Sequence, residues 1–66
     1  MHTFWIAKGK YEGRDVFLWQ YFRPTQREVV SAIMSKAGDE GYSGNIDSRL
    51  TELGWQIVEV EVQEVR

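Results

Sequence analysis

Apolar and polar residues alternate in three stretches of this chain, and in each stretch both phases of the alternation carry apolar side chains. Residues 3–8, 15–22 and 55–63 read as strands, in which successive side chains point to opposite sides of a sheet. One phase collects Phe4, Ile6, Val16, Leu18, Phe22, Val58, Val60 and Val62. The other collects Trp5, Ala7, Phe17, Trp19, Tyr21, Trp55 and Ile57, so all three tryptophans fall together. The aliphatic phase suits a core beneath helices, which leaves the aromatic phase without a cover from so short a chain.

Between the first two strands, the run from Gly9 to Asp15 has the glycines and polar residues of a hairpin loop. Pro24-Thr25 stops the second strand, and Thr25 with Glu28 three positions later forms a capping box that opens a helix from about Gln26 to Ala37. Val29, Val30, Ile33, Met34 and Ala37 make its apolar stripe, and Gly38 is the expected stop. After a loop from Asp39, Asn45 caps a short second helix with Ile46, Leu50 and Leu53 on one side, ended by Gly54. The expected fold is therefore α+β, a two-layer sandwich of order β-β-α-α-β. Its three-stranded antiparallel sheet takes the order 2-1-3 if the helical segment returns the chain once across it, with both helices on one face.

A chain of 66 residues is expected to form one domain spanning residues 1–66, with a single thin core. Its 42% hydrophobic content is too apolar for a disordered segment. The absence of cysteine removes a disulfide framework and thiolate metal sites, and points to an intracellular, cytoplasmic setting. No apolar run approaches the ~20 residues of a membrane span, and the N-terminus lacks the pattern of a signal peptide. The net charge of −2 conceals a gradient. Residues 1–36 hold six basic and three acidic groups, whereas residues 37–66 hold two and seven. Such asymmetry can steer a charged partner.

Reactive chemistry is sparse, and no catalytic residue, cofactor or metal is expected. His2 is the only histidine and sits at a chain end; the serines have no positioned base. Asp39, Gly41, Ser43, Asn45 and Asp47 alternate like calcium-loop ligands, but Leu50 stands where that loop needs a bidentate glutamate. The glycines from Gly38 to Gly44 lack the Gly-Lys-Ser/Thr signature of a phosphate cradle.

The aromatic phase is the candidate site. Trp5, Phe17, Trp19, Tyr21 and Trp55, with Glu59 and Glu61 of the acidic last strand, are the expected partner-binding residues. Contiguous exposed aromatics mark contact surfaces, and tryptophan and tyrosine dominate binding hot spots. A protein partner with a basic surface fits best. Two alternatives are a homodimer, or a purely structural face packed across its own strands. Stacking of single-stranded nucleic acid would draw on Lys8, Lys10 and Arg14, but Glu59 and Glu61 on the same face argue against it.

The segment Leu53-Gly54-Trp55-Gln56-Ile57-Val58, together with Phe4-Trp5-Ile6-Ala7, resembles the small RNA-polymerase inhibitors of T7-like bacteriophages, which are short strand-strand-helix-strand proteins. The loop before Asn45 and the second helix depart from that pattern. What the resemblance implies is a compact accessory protein that binds and blocks a host protein; it carries over no binding residue.

Overall fold

The computed structural model describes residues 2–64. It contains strands β1 (His2–Tyr11) and β2 (Arg14–Arg23), helices α1 (Gln26–Asp39) and α2 (Ile46–Leu53), and strand β3 (Gln56–Val62). The sheet is antiparallel throughout and ordered β2-β1-β3, as the sequence predicts for a single helical return. With both helices against one side, the molecule measures 45 × 27 × 16 Å, a thickness that allows only one interior layer between helix and sheet.

The hairpin is tighter than its composition suggests. Tyr11 pairs with Arg14, so the turn consists of Glu12 and Gly13 alone, at φ 52° and 79°. Positive φ at both central positions defines a turn whose twist matches the flanking strands, and glycine occupies such a position at low cost. Most of the expected Gly9 to Asp15 loop is thus paired strand.

Thr25 caps α1: its Oγ1 accepts from the Glu28 amide at 3.2 Å. The same hydroxyl donates to the Glu28 carboxylate at 3.0 Å, so Glu28 meets the threonine side chain rather than a backbone N–H. The helix continues through Gly38, contrary to the expected stop. It ends where the Tyr42 amide donates to Ala37 (2.9 Å) and the Gly41 amide to Gly38 (3.0 Å). This pair of reversed bonds requires a left-handed residue, and Gly41 at φ 87° supplies it. At α2, Asn45 Oδ1 accepts from Ser48 at 2.8 Å. The helix closes with the Trp55 amide donating to Leu50 at 3.0 Å, which fixes Trp55 at the entrance to β3.

The largest departure from the sequence reading concerns which face the helices cover. Ala7, Val29 and Ile33 form the buried cluster, flanked by Trp5, Leu18, Tyr21, Ile46, Leu50, Trp55 and Ile57. The covered face therefore carries Trp5, Tyr21 and Trp55; of the expected aliphatic core face only Val16 and Leu18 join it, while Phe4, Ile6, Phe22, Val58, Val60 and Val62 lie on the open side. Two causes are visible. The centre of the covered face is lined by the small residues Ala7 and Gly9 of the middle strand, so α1 can seat Val29, Ile33 and the fully buried Ala37 close to the sheet while the large rings border it. In addition, β2 changes phase. Trp5 pairs with Arg23 and Ala7 with Leu18, so β1 advances two residues while β2 advances five. This bulge carries Leu18 and Tyr21, which differ in parity, to the same face.

Gly9 is a packing requirement. A Cβ placed there would lie 2.8 Å from Cδ1 and 3.0 Å from Nε1 of the Trp55 indole. Gly9→Ala is expected to displace that ring and lower stability by about 1–2 kcal/mol, an overpacking cost measurable by urea unfolding. An unchanged midpoint would show that Trp55 moves freely.

Candidate functional site

The open face is built on the same three strands. Around the bulge, Phe17, Trp19 and Phe22 of β2 line a shallow groove of about 120 Å³ with Ile6, Val60, Glu61 and Val62. The rings form a chain: Phe4 stacks on Phe22 at 4.8 Å, Phe22 lies 5.6 Å from Trp19, and Trp19 lies 6.0 Å from Phe17. His2, paired with Val62 in β1, meets Phe4 edge-on at 6.5 Å. Under this layer Ile6 is only 1% exposed, as buried as Ile33 beneath the helix. The covering rings remain wet on their outer side, with Trp19 67% and Phe17 47% exposed.

The expected binding residues thus divide. Phe17 and Trp19 lie on the uncovered face. Trp5, Tyr21 and Trp55 pack against the helix-side core, with Tyr21 and Trp55 rings 5.6 Å apart. Glu59 pairs with Trp5 and Glu61 with Thr3 across the β1–β3 ladder, so alternation turns both carboxylates toward the helix side, although Glu61 still borders the groove at the strand edge. Sequence reasoning left Phe4, Phe22, Val60 and Val62 out of the site. The small residues Ala7 and Gly9, in phase with Trp5, were the signal that could have identified the covered face.

Charge on the open face gathers at the hairpin end. Lys8 and Lys10 both reach Asp15, at 3.7 and 2.9 Å. The hydrogen bond and charge of Lys10, with a smaller contribution from Lys8, hold the Asp15 carboxyl below its usual range. A carboxyl lowered in the folded state adds stability above its unfolded pKa, and that contribution is lost as the pH falls through the lowered value. Asp15 is exposed, so the effect is small. The Asp15 side chain is expected to titrate below an ordinary aspartate by NMR, and Lys10→Ala should raise its midpoint; an unmoved midpoint would show that the contact is not maintained.

A second concavity lies on the helix side, a cleft of about 230 Å³ lined by residues including Tyr21, Lys36, Glu40, Arg49 and Trp55. Its guanidinium is already engaged: Arg49 bonds Glu40 at 3.0 Å and Glu52 at 3.3 Å and lies 5.0 Å over the Tyr42 ring. This arrangement clamps α2 to the end of α1. Among the described residues, no group of His, Cys, Asp or Glu is placed to hold a metal ion, and no helix is long and apolar enough to cross a membrane.

No protein-family model, curated protein or solved structure matches the chain.

Proposed function

We propose that this protein is a non-enzymatic binding module that docks a protein partner on its uncovered sheet face. The observation that carries the reading is the connected ring surface of Phe4, Phe17, Trp19 and Phe22, with Trp19 at its most exposed point. An aromatic patch above a buried aliphatic residue offers a large contact area of limited side-chain freedom, the composition of a binding hot spot. The resemblance to phage inhibitors would make the partner a host protein that is blocked when bound.

Single-stranded nucleic acid is a second reading, supported by one observation. Glu59 turns away from the open rings, so of the two carboxylates only Glu61, at the groove's edge, opposes a phosphate backbone there. Against it, the two lysines at this end of the sheet share the Asp15 carboxylate, which cancels half of their charge, and phosphate binding rests on a larger basic footprint.

Affinity capture from lysate of the source cell, with the wild type and a folded Trp19→Ala variant side by side, tests the first reading. A protein retained by the wild type and lost by the variant is the expected result; identical captures would overturn it. Salt-sensitive binding of an oligonucleotide that depends on Lys8 and Lys10 would favour the second.

A further inference from the structure

We infer that β3 is an acceptor edge for an extended partner segment in which basic and apolar residues alternate. The inference rests on the protein-docking reading and names the partner's chemistry.

The order β2-β1-β3 leaves two strand edges. The β2 edge is interrupted by its bulge, a feature that discourages strand addition. Strand β3, in contrast, runs in unbroken register against β1 from Gln56 opposite Lys8 to Val62 opposite His2. It contains no proline, lysine or bulge. Its outward backbone groups form a regular template for one more strand, since β1 is its only neighbour in the sheet.

The side chains state what that strand must carry. Val58, Val60 and Val62 face the open side, where Val60 and Val62 continue the aromatic groove to the edge of the sheet. Apolar residues of an added strand would extend this surface. On the opposite side Glu59 and Glu61 are exposed and form no ion pair among the described residues. Basic side chains at alternate positions of the added strand would fall beside them, and opposite charges on neighbouring strands attract.

The same pair disfavours a second copy of the chain. Antiparallel pairing of two β3 strands with Val60 opposite Val60 sets Glu59 against Glu61 twice. Placing Val58 opposite Val60 sets Glu59 against Glu59. Like charges in direct opposition destabilise a strand pair, so the carboxylates both guard the edge against self-pairing and select a basic partner.

The probe is a blocked peptide, acetyl-Lys-Val-Lys-Val-Lys-Val-Lys-amide, added to the whole protein while backbone amide signals and their exchange rates are followed by NMR. Saturable binding that slows exchange in residues 57–62 is expected. Affinity should fall at least tenfold for the Glu-Val counterpart, for a peptide N-methylated at alternate residues, and for the Glu59→Gln/Glu61→Gln variant. No response of β3 at millimolar peptide would overturn the inference. So would shifts confined to Phe17 and Trp19, which would leave the docking face standing. Protection of β3 without peptide, with a doubled mass by sedimentation, would also overturn it by assigning the edge to a second copy. If the peptide binds β3 while Trp19→Ala still captures every wild-type partner, the face reading fails and the edge stands.

Discussion

Ile33→Ala is expected to lower the thermal unfolding midpoint by about 15–20 °C. Ile33 is 2% exposed and belongs to the buried cluster with Ala7 and Val29. Removing such a side chain from a close-packed interior costs about 3 kcal/mol, because the transfer free energy is lost and a cavity is left. For a domain of 66 residues the whole stability is on the order of 3–10 kcal/mol, and each kcal/mol shifts the midpoint by about 4–8 °C at this size. The structure has one helix layer over the sheet, so no second layer on that side shares the loss. Circular dichroism during heating checks the prediction; a shift below about 5 °C would mean that α1 does not form the principal cover of the sheet.

Trp55→Ala and Trp19→Ala are expected to separate sharply, which decides the face assignment. The Trp55 indole lies on Gly9, approaches Tyr21 at 5.6 Å and lines the helix-side cleft. Its removal should cost about 2–3 kcal/mol, less than a fully buried aromatic because the ring keeps partial exposure. Trp19 lies in the bulge on the open side, 67% exposed. Its removal should cost under about 1 kcal/mol while abolishing partner capture. Urea unfolding of the two variants measures the difference. Equal costs would contradict the division of the tryptophans between a covered and an open face.

That division was only partly legible in the sequence. Phe17 and Trp19 are exposed as the alternation suggested, but Trp5, Tyr21 and Trp55 share their phase and lie under the helices. Parity assigns faces across strands only once their register is known: the two-residue turn pairs Phe17 with Lys8, away from Trp5, and the β2 bulge, which no proline or glycine announces, returns Tyr21 to the side of Trp5. Aromatic bulk also misled the choice of core face. A helix approaches a sheet most closely where the sheet's side chains are smallest, and the row Trp5, Ala7, Gly9 places the small residues at the centre.

The sequence alone determined the element types, their chain order and the caps at Thr25, Asn45 and Gly54, and it favoured the single helical return that gives β2-β1-β3 without settling it. These depend on local backbone preferences and on the length of a connection, which neighbouring residues specify. Only the tertiary structure decided which face α1 covers, how Ile6 comes to be buried beneath Phe17, Trp19 and Phe22, and that Glu59 and Glu61 turn away from those rings. Each of these follows from the register between strands: the two-residue turn sets Phe17 opposite Lys8, on the side away from Trp5, the regular β1–β3 ladder sets Glu59 opposite Trp5, and the β2 bulge returns Tyr21 to the side of Trp5.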